Sequence, residues 1–143
     1  MESLKEKGRD FELNGHTLHF LEMAFRTDKQ GRPPQPDGCG KKTGDCGDSI
    51  EMFLTVANDR IDTVTFHLDG CMHTNACANT VALLAEGKTL DEAWEISVDQ
   101  VVDSLQSLPE DHIHCAELAV GTFYLALADC RKTKRAPWKK AYR

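Results

Sequence analysis

Read for hydrophobic position alone, the middle of the chain has a period of two. Ile50, Met52, Leu54 and Val56 alternate with Ser49, Glu51, Phe53 and Thr55, and Val64, Phe66 and Leu68 alternate with Thr63, Thr65 and His67. Successive side chains of a strand point to opposite faces, so each run predicts a strand with one face inward. Asn58-Asp59 between them is a turn signal, and the pair reads as an antiparallel hairpin. Beyond Gly70 the period lengthens. Residues 73–86 are rich in Ala, Leu and Val and predict a helix, with Gly87 placed to cap its C-terminus. Thr89-Leu90-Asp91-Glu92 and Ser97-Val98-Asp99-Gln100 are capping-box patterns, each opening a further helix. Val101, Val102, Leu105 and Leu108 give the second of these an apolar face, which Pro109 ends. A final long helix is predicted over about 113–131, with Ala116, Ala119, Val120, Phe123, Leu127 and Cys130 as its stripe. Upstream, Leu18, Leu21 and Phe25 predict a short helix near 17–25. From Arg26 to Gly47 repeated Gly and Pro predict a long loop. Strands followed by helices make an α+β domain.

Composition narrows the function without naming it. The 143 residues suit one compact domain, with its core over about 17–131 and a basic tail over 132–143. The net charge of −6 is uneven: residues 131–143 hold seven Lys and Arg and no acid, which leaves −13 for the rest. An acidic body does not suit a protein that grips nucleic acid. No apolar stretch approaches membrane-spanning length, and the first ten residues lack a signal-peptide core, so the expectation is a cytoplasmic protein without membrane partners. Six cysteines, at 39, 46, 71, 77, 115 and 130, are even in number. In a reducing compartment a chain of this size more often uses them for metal or sulfur chemistry than for disulfides.

The hairpin gathers three of the candidate residues. Folding about Asn58–Asp59 pairs residues whose numbers sum to 117, which sets Asp48 across from Asp69 and Cys46 across from Cys71, give or take a bulge. Cys71 precedes one predicted helix and His114-Cys115 opens another, and the positive end of a helix favours thiolate. Three thiolates with one carboxylate or histidine suit zinc or an iron–sulfur cluster. Asp48 in place of a fourth thiolate makes a site that binds but can let go. Cys77 and Cys130 fall on helices and read as core thiols. Cys39 reads as a spare thiol in the loop, His73 as a polar residue at a helix start, and His112 has no assigned role.

In order along the chain stand Cys46-Gly47-Asp48, Gly70-Cys71, Gly87-Lys88-Thr89-Leu90-Asp91-Glu92-Ala93, Leu108-Pro109 and His114-Cys115-Ala116-Glu117-Leu118-Ala119. In these motifs, over about Gly38 to Asp129, the chain resembles the IscU/NifU-type iron–sulfur scaffold family. The resemblance implies a three-stranded antiparallel sheet packed by helices, the third strand drawn from the 26–47 region. It implies a non-catalytic scaffold that accepts iron and sulfur and builds a labile [2Fe–2S] cluster. The cluster would sit on Cys46, Asp48, Cys71 and Cys115, with His114 as an alternative ligand. Zinc would be able to occupy the same site. The implied partners are a cysteine desulfurase, whose persulfide sulfur Cys115 would accept, and recipient apoproteins.

The chain departs from the family pattern at Leu108-Pro109-Glu110-Asp111-His112, where members served by a dedicated Hsp70-type chaperone read Leu-Pro-Pro-Val-Lys. His112 holds the lysine position, and the change counts against chaperone docking. The helix after Gly70-Cys71 starts with Met72-His73-Thr74-Asn75 instead of small, serine-rich residues. The long insertion of the zinc-dependent SufU-like branch is absent, with 44 positions between Cys71 and Cys115. Two other readings of the residues stay open: a zinc-bound sulfurtransferase partner that activates a desulfurase, and a purely structural zinc domain.

Overall fold

The computed structural model describes residues 12–13, 16–45 and 47–135; Cys46 and the end of the basic tail, 136–143, lie outside them. The elements in chain order are β1 (Glu12–Leu13), β2 (His16–Thr17), α1 (Leu18–Phe25), β3 (Gly38–Thr43), β4 (Ser49–Ala57) and β5 (Arg60–Asp69). They continue as α2 (Met72–Ala85), α3 (Leu90–Ala93), α4 (Val98–Leu105), a 3₁₀ turn (Glu110–His112) and α5 (Ile113–Arg135). β1 and β2 pair with each other, and β3-β4-β5 form a three-stranded antiparallel sheet. The fold is α+β, as the order of periods predicts.

The hairpin turns at Asn58 and Asp59, both with positive φ (55° and 63°), the conformation that suits the twist of the flanking strands. Next to the turn the pair sum is 117, as Val56 faces Ile61 and Ala57 faces Arg60. Beyond it the sum is 118, because Thr55 pairs with Thr63 and Asp62 is left over as a bulge. The bulge resolves a conflict of phase. Ile61 lies three residues from Val64, yet both are buried with Phe66, which an unbroken strand could not achieve. Predicted pairs are therefore offset by one residue, and Ser49, not Asp48, lies opposite Asp69.

The largest correction concerns 26–47, which is not all loop. Gly38–Thr43 is an edge strand on β4, and its glycines at 38 and 40 are there for room. A Cβ on Gly40 would lie 2.5 Å from the Ala126 amide nitrogen and 2.6 Å from the Thr122 carbonyl oxygen of α5. One on Gly38 would run into Cys130 Sγ and the Ala126 carbonyl. The helix thus lies directly on the strand's backbone. Asp129 secures the contact by accepting a 2.8 Å hydrogen bond from the Cys39 amide. Lys29–Gly31 also pairs along the opposite edge, through Phe66 N–H to Lys29 O (2.9 Å) and Gly31 N–H to Phe66 O (3.0 Å). Farther along that edge, Glu86 accepts from Val64 N–H (3.1 Å) and from Lys29 Nζ (2.6 Å). Both halves of a vulnerable edge are thereby occupied. The same segment brings Arg32 4.9 Å over the Phe53 ring, which explains why Phe53 is fully buried although it points away from the main core.

The helices form where their caps predict. Thr17 caps α1, and both capping boxes are complete, Thr89 with Glu92 and Ser97 with Gln100. α2 runs through the centre of the helical layer and buries Asn75 and Asn79 along with its alanines. Those two amides close the C-terminus of α1: Asn75 Nδ2 donates to Ala24 O (2.6 Å) and Asn79 Nδ2 to Met23 O (2.8 Å). Carbonyls left over at a helix end are costly when buried, so a polar residue inside α2 is what its neighbour requires. α5 extends to Arg135, four residues past the predicted end. By length and composition it could cross a bilayer, which the hydropathy reading did not anticipate. Its apolar stripe is spent on the sheet instead, with Ala116, Ala119, Phe123 and Leu127 buried.

The glycine contact gives a direct test. Gly40→Ala is expected to destabilise the protein by about 1–3 kcal/mol, the usual cost of overpacking against backbone. The measurement is a urea titration, read as a lower midpoint at unchanged slope. An unshifted midpoint would mean that α5 does not rest on β3.

Candidate metal centre

The offset of one residue in the hairpin determines how the site is built. Continued one step past Ser49–Asp69, it brings Asp48 to Gly70, and the side chain does lie there: a Cβ on Gly70 would be 2.6 Å from Asp48 Oδ2. From that place Oδ2 accepts from the Thr74 hydroxyl (2.5 Å) and from the Cys71 amide (3.3 Å). Cys71 is the N-cap residue of α2 and makes no capping bond with its own side chain. Asp48 supplies the cap from across the hairpin, and its negative charge complements the helix N-terminus. The carboxylate therefore holds the base of the helix on which Cys71 stands.

Cys71 is exposed, with Sγ 3.6 Å from Thr74 Oγ1 and 3.8 Å from His73 Nδ1. Cys115 approaches from the first turn of α5 and is fully buried, with Sγ 3.8 Å from His112 Nδ1. The two thiols and one ring nitrogen of His112 all lie within 4.8 Å of one another. A tetrahedral metal with bonds of about 2.3 Å to sulfur and 2.0–2.1 Å to nitrogen spaces such atoms about 3.6 Å apart. The donor set and its spacing fit a thiophilic metal with small adjustments.

Cys71 and Cys115 are brought together, and Asp48 sits beside Cys71 as the cap of α2. Cys46 lies outside the described residues; on either side of it Gly47 N–H bonds Gly44 O (3.0 Å) and Gly44 N–H bonds Asp48 O (2.8 Å). His114 is exposed, outside the convergent group, with its ring 5.8 Å from that of His112. His112, given no role by sequence reasoning, is inside the group. The signal was its spacing: residues three apart share a helical face, and the 3₁₀ turn leading into α5 puts His112 over Cys115. His73 also has more than a helix-start role, since its ring stacks on His112 at 3.7 Å and 10°. Cys39 pairs with Phe53 midway along the sheet, away from the open end, and Cys130 is buried under Gly38.

Cys77 is buried one and a half turns into α2, and burial foremost, then the neighbouring Cys115 and Cys71, push its thiol well above the ordinary range. A thiol raised in this way stays protonated and unreactive at neutral pH.

The comparisons with known proteins identify the family and the fold. Residues 30–136 match the model of the NifU-like N-terminal domain. The chain belongs to that family. It is 32% identical over 100 residues to the iron–sulfur cluster assembly scaffold protein IscU 1 of Archaeoglobus fulgidus, covering 69% of this chain and 65% of that protein. The match to the scaffold protein IscU of Escherichia coli K12 is 32% over 92 residues, covering 64% and 71%. The chain thus spans just under two thirds of the length of the Archaeoglobus relative. Among solved structures, the N-terminal part of a NifU-like protein from Brucella abortus superposes with a TM-score of 0.68 at 13% identity, over 81% of this chain and 94% of that one. A candidate iron–sulfur cluster assembly scaffold for the SUF system from Fervidobacterium islandicum gives 0.66 at 18% identity, over 78% and 96%. At these identities the likeness shows the fold: a three-stranded antiparallel sheet with packed helices.

Two outcomes test the site. Iodoacetamide at pH 8 on the native, metal-free chain is expected to modify Cys71 and to spare Cys77 until denaturant is added, as read by peptide mass spectrometry. Equal labelling of both would contradict the burial described above. Gly70→Ala is expected to displace the Asp48 carboxylate and to cost about 1 kcal/mol, the worth of a helix cap. Added to Asp48→Ala it should cost little more, because both changes remove one interaction. Full additivity of the two would separate Gly70 from the cap.

Proposed function

We propose that this chain is a scaffold on which an iron–sulfur cluster is assembled and from which it is handed on. The observation that carries the reading is the convergence of Cys71 and Cys115 with an imidazole at an exposed end of the fold, in a chain of the NifU-like family. Relatives named as assembly scaffolds support it. Iron and sulfide are cargo here, and the chain's own work is to bind, orient and release them. The core needs no metal, since Phe20, Ile50, Met52, Phe66 and Phe123 are fully buried and each contributes roughly 1.5–3 kcal/mol. A scaffold must be able to wait folded and empty, whereas a structural zinc domain unfolds without its ion.

Asp48 supports the same reading. Used as a ligand, it has to give up or share its bonds to Cys71 N–H and Thr74, and a cap of this kind is worth about 0.5–2 kcal/mol. Ligation by Asp48 is weakened by that amount, and cluster release restores the cap. We take Cys46, Asp48, Cys71 and Cys115 as the cluster residues, with a histidine from the 112–114 segment available. A cysteine desulfurase and recipient apoproteins are the partners the reading calls for. Sulfur arrives when an acceptor thiolate attacks the outer sulfur of a desulfurase persulfide and the desulfurase leaves as thiolate. Cys71 is open to such a partner, whereas Cys115 is buried and has to be uncovered first.

Anaerobic reconstitution with iron, sulfide and thiol is expected to give a cluster absorbance in the visible range, lost in Cys71→Ala. With Asp48→Ala no carboxylate regains its cap on release, so the cluster should persist longer against a chelator, while the apoprotein loses about 1 kcal/mol of stability. No cluster in the wild type, together with tightly held zinc and retained sulfur acceptance, would favour a zinc-bound sulfurtransferase partner instead.

A further inference from the structure

The geometry points to His112, and not His114, as the imidazole ligand of this site, with His73 as the residue that positions its ring. The inference rests on the reading of the site as a metal-handling centre, but it concerns residues outside the cysteine motifs.

Three observations meet on His112. Its Nδ1 stands 3.8 Å from Cys115 Sγ, close to the ~3.6 Å edge of a mixed sulfur–nitrogen tetrahedron. One of its ring nitrogens lies within 4.8 Å of both thiol sulfurs, so a single ion can reach all three donors. The ring is also oriented before any metal arrives. His73 lies against its face at 3.7 Å and 10°, and His73 in turn packs on the fully buried Phe20 ring at 5.5 Å. This ladder runs from the core outward, and it removes rotamer freedom that ligation would otherwise have to take away.

His114 has none of these supports. It is one residue from Cys115, about 100° around α5, which turns its side chain from the face that Cys115 presents. It is exposed, and its ring lies 5.8 Å from that of His112 at 31°. The turn before α5 explains the exchange. Pro109 starts the 3₁₀ segment, His112 N–H bonds Pro109 O (2.9 Å), and the tightened turn directs residue 112 to the Cys115 side. Where members served by a dedicated Hsp70-type chaperone carry lysine, this chain carries an imidazole beside the thiols.

The test uses the full chain loaded with zinc alone, read by zinc X-ray absorption for the multiple-scattering signature of imidazole and by chelator competition for affinity. The wild type is expected to show an imidazole. His112→Ala and His112→Lys are expected to lose it and to bind zinc about a hundredfold more weakly, at or beyond the upper end of what a supporting partner contributes. His114→Ala should keep both signature and affinity. His73→Ala should keep the signature and lose about tenfold in affinity. His73→Phe, whose ring stacks but cannot ligate, should recover most of that loss. The lysine variant guards against misfolding of the alanine variant, because circular dichroism can confirm its fold. Retention of imidazole in both His112 variants, its loss in His114→Ala, or a wild type that takes up no zinc or takes it up without imidazole overturns the assignment. Loss of the signature in His73→Phe makes His73 a ligand and overturns its positioning role. Cluster reconstitution, run in parallel, judges the scaffold reading separately: a wild type that binds zinc through His112 but builds no cluster sinks that reading and leaves this one standing.

Discussion

The carboxylate of Asp48, wedged against Gly70 and bonded to Cys71 N–H and the Thr74 hydroxyl, is the contact on which the site depends. It ties the sheet to the helical layer where the chain passes from one to the other. α2 begins at Cys71, and the orientation of that helix sets where Cys71 and His73 stand relative to α5. The contact is itself a consequence of register. Without the Asp62 bulge, the hairpin pairing would set Asp48 against Asp69, bringing two acids together and leaving the α2 N-terminus without its acceptor. An extra residue fourteen positions down the hairpin from Asp48 thus decides which side chain caps the helix.

Much of this fold was legible because it obeys local rules. The hairpin, its turn, both capping boxes and the burial stripe of α5 follow from periods and caps that are complete within a few residues. What was not legible needed a partner distant in sequence. Gly38 and Gly40 look like loop punctuation until α5 lies on them, although glycines two apart do hint at one face of a strand pressed by something large. The bulge was foreshadowed only by Ile61, an apolar residue out of phase with Val64 and Phe66. His112 lies outside the cysteine motifs that carry the family resemblance, whereas His114 lies within one. The i, i+3 relation to Cys115 was there to be read, but its meaning depends on a 3₁₀ turn whose geometry no local pattern specifies.

The polar residues of α2 show how far tertiary need overrides propensity. Asparagine is a poor helix former, and two of them, four residues apart, ordinarily weaken a helix. Here they help close the helical layer, because they donate to the carbonyls at the C-terminus of α1. The substitution of Met72-His73-Thr74-Asn75 for a small, serine-rich start therefore has a structural logic: Thr74 completes the Asp48 cap, His73 joins the ring ladder, and Asn75 fastens α1.

The same stretch gives the proposed scaffold a way to be ordered and yet labile. Its thiols sit on two helices that the core holds without help from metal, so assembling the donors costs little conformational entropy when cargo arrives. Order alone would make a tight, permanent site. Asp48 works against that, because any bond it makes to a metal competes with a cap that the folded apoprotein already enjoys. The opposition lies within one carboxylate, so on the proposed reading Thr74 and the α2 backbone would tune retention and release as much as the ligands themselves. On the proposed scaffold reading, a replacement for Asp48 that ligated more strongly and capped less well would shift the balance to retention on both counts, and the chain would hold a cluster instead of handing it on.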